Sequence, residues 1–535
     1  MRSAQVRFAA VGDPVGAANA QLLDVGRPGS WRAAPDRWLD DCIEAFSAIE
    51  AARRTEIAQP EGRIAHSNTA GLLHLVALQL HQSADVLGDD PRWPQAVWAL
   101  EQAVKARAFQ DELVTSGAWS ALVARDERLA AAVRVEESAR LPDGYYSESV
   151  LRRARIAQKH RVEDLQSEWR GTGRHVPAVG AGPVSIERLR AALREGEAYL
   201  GLVETADGPL WIAVSPDAFS AGRVATRPAV RGEPDRSPLS IPVTFVALVR
   251  EVVASADTLL VCPEGDLIAV PWQLLPRAAG RDVCEVVALV PSAGTLVHLR
   301  ELGPPAIGSV LSYLGVADDA AANVAGLKEL GCVNREILSV AERFPAERRR
   351  VITSAAPNAL HRIRGLPDHF DVLHLACHAT SHGIFLGGRW VPPVELAATR
   401  LTGTILFVTG CWAGAFDTND HNEMTGIVRQ LMVVTRSRVA IISRDPVIDA
   451  ASPLFANLVV SALLGKRPDA DALPFPGAPR NVGQAVEWAR HVMPDVDEAD
   501  IDDLVPDPQV FIDPRSPRWW SPWMVFGDPR IRLVE

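Results

Sequence analysis

From residue 185 onward, short runs that are apolar at nearly every position alternate with stretches of helical period, and few folds accommodate that pattern. AYLGLVET, DTLLVCPE, VCEVVALVP, SVLSYLGV, DVLHLAC, TILFVTG and RVAIISR are such runs. A strand with one wet face alternates apolar and polar residues, whereas these do not, so both of their faces must be covered. The helical stretches FVALVREVVASA, REILSVAERF and AVEWARHVM supply the cover. The pattern predicts a doubly wound α/β fold, with ligands expected at the carboxyl ends of its parallel strands.

The amino-terminal part has a different texture. From about 36 to 170 it reads as helix, with DRWLDDCIEAFSAIEAARR, AGLLHLVALQLHQSADVL and PQAVWALEQAVKARAFQDELV carrying apolar residues at three- and four-residue spacing. Pro91 and Pro94 are expected to break the helices between Leu87 and Val97, and the charged stretch 140–168 reads as a long helix. Residues 1–30 are rich in Gly and Ala and show no clear period. The whole is a helical bundle or a degenerate helical-hairpin repeat array that binds a partner. GTGRHVPAVGAGP, 171–183, is the best domain boundary; its one GxG follows no strand and reads as linker.

With 535 residues the chain has room for several domains, and its net charge of −11 argues against a sequence-independent grip on nucleic acid. Cysteines stand at 42, 262, 284, 332, 377 and 411, with no zinc-knuckle or redox-dithiol spacing, which points to free thiols in a reducing, cytoplasmic compartment. The first residues lack the apolar stretch of a signal peptide, and no run approaches the ~18 apolar residues of a membrane span. No membrane partner is expected.

Two strand ends carry residues suited to chemistry. DVLHLACHATSHG runs a strand into His378, and TILFVTGCWAG runs the next into Cys411. Side chains at neighbouring strand ends come within hydrogen-bonding reach, so an imidazole there can deprotonate a thiol. Gly410 and Gly414 permit a tight turn that exposes the sulfur and frees backbone N–H groups for an oxyanion. On spacing alone Cys411 can equally be a small buried hydrophobe and His378 a satisfied loop histidine. Cys377 is a rival nucleophile, but as a strand residue facing away from its neighbour it is expected to be buried. HNEMTG lacks the second histidine of a zinc hydrolase, and no metal is expected. NEMTGIVRQLMVVT reads as a helix capped by Asn422 or Asp420, and Trp519, Trp520 and Trp523 read as core.

TLLVCPEGDLIAVPWQLLP, VALVPSAGTLVHL, LKELGCVNREILSVAERFP with TSAAPNAL, SRVAIISRDPVIDAAS and WWSPWMVFGDPRIRL follow one another, and with the His378 and Cys411 strands they span roughly 185–535. Together they resemble the CHAT domain of caspase- and separase-like proteins, which often follows tetratricopeptide repeats. The resemblance implies a caspase-like three-layer α/β/α sandwich behind an all-α region. Residues 1–180 would bind a partner, 185–305 would be a half without an active site, and 306–535 the catalytic half. It also implies a cysteine peptidase that needs no cofactor and cleaves a protein, with His378 as general base (His374 being the family's first strand histidine) and Cys411 as nucleophile. The oxyanion would be held by the amides of Cys411 and either Ala379 or Gly383. Asp449, with Asp445 nearby, would face the substrate, and an acidic pocket favours Arg or Lys before the cut, although Thr409 is neutral where the related metacaspases carry an acid. The family has glycine after the catalytic histidine. Here Ala379 follows His378, while a His-Gly pair stands at His382-Gly383, so either that pair is the functional one or the loop is rearranged, with His378 favoured by its place at the strand end. Bacterial members often serve in defence, where a gasdermin-like pore former is cleaved. An inactive scaffold and a small-molecule thiol enzyme are the other readings.

Overall fold

The computed structural model describes residues 14–56, 62–105, 183–225, 241–253, 256–279, 284–305, 307–319, 329–354, 359–364, 366–367, 369–380, 383–391, 401–410, 417–418, 424–466, 477–496 and 515–534, with 128, 131–132, 135, 149–150, 153, 327, 396 and 399. Nearly all of the 171–183 boundary, and most of the 140–168 stretch, lie outside them.

Four long helices open the described chain: α1 (Pro14–Val25), α2 (Pro35–Glu56), α3 (Gly62–Leu87) and α4 (Arg92–Val104), with a single turn at Ser30–Ala33 between the first two. Helix α1 corrects the expectation that residues 1–30 carry no period. Val15, Ala18, Leu22 and Val25 form a buried stripe, but small neighbours blur its contrast in the sequence. Pro94 does not delay α4 either. It sits in the first turn, where a missing backbone N–H costs nothing.

The remainder is mixed α/β. The strands are β1 (Glu197–Val203), β2 (Leu210–Val214), β3 (Phe219–Arg223), β4 (Thr258–Cys262), β5 (Val286–Leu289), β6 (Tyr313–Ala317), β7 (Arg349–Ile352), β8 (His369–Ala376), β9 (Ile384–Phe385), β10 (Trp390–Val391), β11 (Thr402–Val408), β12 (Asp417–Thr418), β13 (Met424–Thr425), β14 (Val439–Ser443) and β15 (Trp523–Gly527). The longer helices among them are α5 (Ile186–Ala192), α6 (Val243–Val252), α7 (Ala293–Glu301), α8 (Val333–Ala341), α9 (Ile427–Thr435), α10 (Ala451–Leu464) and α11 (Val482–Val492).

One 11-stranded sheet runs β3-β2-β1-β4-β5-β15-β14-β11-β8-β6-β7. Strands β1, β4, β5 and β15 are parallel, as are β14, β11, β8, β6 and β7, but β14 and β15 are antiparallel. The two parallel sets therefore point in opposite directions within one sheet. Helices α8, α10 and α11 pack side by side, while α9 lies against β11 and β14. The crossovers β6–α8–β7 and β11–α9–β14 step along the sheet in opposite directions, so a common right hand puts α8 and α9 on opposite faces. That double cover explains why β4, β5, β6 and β14 are buried at every position.

The amino-terminal helices share this core. Trp98 Nε1 donates to Val184 O at 3.2 Å, Tyr199 OH donates to Glu101 Oε1 at 2.5 Å, and Lys105 Nζ donates to Cys262 O at 2.9 Å and to Leu202 O. His81 Nε2 donates to Val224 O at 3.1 Å, and His74 Nε2 lies 3.3 Å from Glu264 Oε1. Among the described residues no helix is long and apolar enough to cross a membrane.

Candidate active site

Strand β8 lies between β6 and β11, parallel to both, and is buried from Phe370 to Ala376. His378 follows its end by two residues and is half-buried. The chain then folds back on itself. Ala379 bridges to Ile384, Phe385 N–H donates to His378 O at 2.8 Å, and Thr380 N–H donates to Gly383 O at 2.9 Å. Gly383 N–H is taken by Thr380 Oγ1 at 3.2 Å. Ala379 N–H has no part in this hairpin and meets no acceptor among the described residues. Nor does Ala379 stand among the residues of positive φ, so a side chain here carries no backbone strain. Cys377 is wholly buried, and that burial pushes its thiol up, which suits a packing residue and not a nucleophile.

Strand β11 is paired with β8 from Thr402 to Val408, and Thr409 N–H continues the ladder to Leu375 O at 3.0 Å. Gly410 comes next. A Cβ here would lie 2.5 Å from Cys377 O and 2.8 Å from Ala379 Cβ, so only glycine lets the two strand ends meet. Ser443 Oγ, at the end of β14, donates to Gly410 O at 2.5 Å and fixes the turn from the other side. Cys411, Gly414 and His382 lie outside the described residues. Past them, β12 and β13 pair and α9 begins only at Ile427, with Gly426 before it. This corrects the expected helix capped by Asn422 or Asp420, two residues that themselves lie outside the described set. Met424 and Thr425 are drawn into a strand by their partners in β12.

The loop after β14 holds both acids expected to face the substrate. Asp445 is half-buried; burial raises its pKa, the Arg444 charge opposing, and its Oδ2 has no hydrogen-bond partner among the described residues. Asp449 is raised by burial too, but its Oδ2 accepts the N–H of Cys332 at 3.0 Å, at the entrance to α8. Trp519, Trp520 and Trp523 are buried, and Trp523 stacks on Phe455 with ring centroids 4.3 Å apart.

Beneath the strand ends lies a polar cluster that sequence reasoning missed. His374 is fully buried, with Nε2 donating to Glu336 Oε1 at 2.7 Å and Nδ1 lying 2.9 Å from Tyr313 OH. The sequence held one signal. Glu336 occupies the buried stripe of α8 with Val333, Ile337 and Val340, and a carboxylate in an apolar stripe needs a partner.

A sequence model of the CHAT domain matches residues 243–528, more than half of the chain. The chain belongs to the CHAT domain family. The matched region takes in α6 through β15, so the 11-stranded sheet is that of a CHAT domain extended by β1, β2 and β3. No curated protein matches the chain. Among solved structures, separase of Saccharomyces cerevisiae in complex with securin is similar over 91% of this chain at 9% identity with a TM-score of 0.46, and the chain spans 37% of that protein's length. The Arg-specific cysteine proteinase gingipain R of Porphyromonas gingivalis is similar over 57% of this chain and 71% of its own at 12% identity, with a TM-score of 0.37.

Proposed function

We propose that this CHAT protein is a cysteine endopeptidase in which Cys411 is the nucleophile and His378 its general base. One observation carries the reading. Every residue of β11 paired with β8 is numbered 33 above its partner, as Val408 is above Leu375, and Cys411 is numbered 33 above His378. Neighbouring strands are about 4.8 Å apart, so residues aligned across their ends are within side-chain reach. The close approach of Gly410 to Cys377 O, the residue numbered 33 below it, supports the same alignment one step earlier.

In this reading His378 takes the thiol proton and the thiolate adds to the scissile carbonyl carbon. The C–N bond then breaks, and the leaving amine takes the proton from His378. Water, deprotonated by the same imidazole, hydrolyses the thioester. The amides of Ala379 and Cys411 hold the oxyanion. The Gly383 amide, already given to Thr380, supports the loop. For the residue before the cut, the partnerless oxygen of Asp445 favours Arg or Lys, and the offset of 34 between β11 and β14, carried past the strand ends, aligns it with Cys411. Asp449, whose Oδ2 holds α8, stands behind it. The helices of 1–180 serve a protein partner, residues 185–305 are the half without a site, and 306–535 are the catalytic half, in the cytoplasm. By family association the substrate is an effector such as a gasdermin-like pore former.

The test is chemical. Wild-type protein treated with an arginyl chloromethyl ketone should be labelled at Cys411 by mass spectrometry, and a panel of fluorogenic peptides should single out Arg or Lys before the cut. His378→Ala should slow labelling by roughly a hundredfold or more. Equal labelling of the wild-type and His378→Ala proteins would sink the dyad.

A further inference from the structure

Glu336 offers a carboxylate that no solvent reaches, with one oxygen on His374 and the other, Oε2, without a partner among the described residues. An apolar residue would fill this place without such a desolvation cost. We propose that Glu336 is a positioning residue for the dyad, acting through His374. The proposal rests on the peptidase reading above.

His374 and Phe407 are register partners in β8 and β11, and their rings stack with centroids 4.6 Å apart and planes 12° from parallel. They therefore lie on one face of the sheet. Alternation carries the face of His374 to Ala376, the last residue of β8, and the face of Phe407 to Thr409, whose N–H still pairs with Leu375 O. The stacked pair thus lies beneath the strand end from which His378 follows, four residues on and at most about 13 Å away at strand rise. His374 is held from three sides: by Glu336 on α8, by Tyr313 on β6, and by Phe407. Gly315, its register partner in β6, makes the room, since a Cβ there would come within 2.7 Å of the Tyr313 hydroxyl.

Helix α8 also carries the Asp449 attachment, so one helix is tied at its entrance to the loop after β14 and four residues on to the imidazole under the dyad. Hydrogen bonds fix direction, whereas apolar contacts hold only proximity. Without the Glu336–His374 bond, α8 and the β8–β11 pair are free to settle in slightly different relative positions. A misplacement of about 1 Å remote from the chemistry costs roughly a hundredfold in rate.

The test replaces the pair by an apolar one of similar size. Glu336→Leu with His374→Phe should keep the fold, because no lone buried charge remains. Its thermal midpoint should equal or exceed that of wild type, while iodoacetamide alkylation of Cys411 and kcat on the preferred peptide fall roughly ten- to hundredfold at little-changed KM. Glu336→Gln keeps an acceptor for Nε2 and should recover most of the rate. Wild-type reactivity in the double variant, or a Gln variant as slow as the double, would overturn the proposal. Should the double variant not fold, Tyr313→Phe decides. It keeps the ring and loses the hydroxyl, and undiminished Cys411 reactivity in it is equally fatal. Failure of the peptidase reading looks different, because Cys411 of the wild-type protein would then be indifferent to His378→Ala.

Discussion

At Gly410 a single hydrogen atom decides whether two strand ends can touch. A methyl group would press on Cys377 O and Ala379 Cβ at once; the first is backbone and the second is fixed directly to it, so neither can swing away. Gly410→Ala should therefore cost at least tenfold in Cys411 alkylation, with a modest drop in thermal midpoint of a few degrees. A variant that keeps the wild-type rate would show that the two strand ends need not meet this closely. His378 and Gly410 were legible in the sequence because each stands at the end of an apolar run, where a sheet presents its chemistry. The role of Glu336 was not, because its partner is 38 positions away and only packing brings them together. The same limit explains Asp449. Its place after a strand was readable, but its bond to the entrance of α8, across 117 positions, was not.

The elements were legible where both faces are buried. β4, β5, β6, β8, β11 and β14 coincide with the apolar runs, since a strand covered by helices leaves no room for polar alternation. The small hairpins β9–β10 and β12–β13 were not, because two-residue strands carry no period. How α3 meets the sheet was equally hidden, and there the structure makes a pH prediction. Burial alone would lower the pKa of His74, but the Glu264 carboxylate 3.3 Å away overrides it and raises the value from 6.5 to about 9. The folded protein thus holds a proton that the unfolded chain releases near 6.5. The stabilisation, on the order of 2 kcal/mol, is complete below pH 6.5 and is lost as pH rises through about 9. Urea titrations of wild type between pH 6 and 9.5 should show this decline, and His74→Gln should flatten it. Equal slopes in both would mean that the ion pair contributes nothing.

On the scale of the whole molecule, α4 is a wall of the α/β core. Glu101, Gln102 and Lys105 are buried against Tyr199, Val184 and the ends of β1 and β4. A fragment starting at residue 183 would bare that apolar face and orphan those polar groups. It should be poorly soluble or melt well below the full chain, and co-expression with residues 1–182 should restore it. A fragment that matched the full chain in thermal midpoint would mean that the helices are only an appendage. The texture change near 185 marked where the strands begin, but it gave no hint that one core runs through both parts, since shared packing leaves no local trace.

The reversal between β14 and β15 gives the sheet two rims at which parallel strands end. His378 opens onto one of them, whereas Glu264 and Lys105 gather at the other, at the ends of β4 and β1, five to six strand spacings of about 4.8 Å along the sheet. A protein that docked on α3 or α4 beside that second rim would leave the cleft of the proposed peptidase unobstructed. It has no means of acting as a plug; what it can change is tension in the strands, so control from the helices would be exerted by leverage.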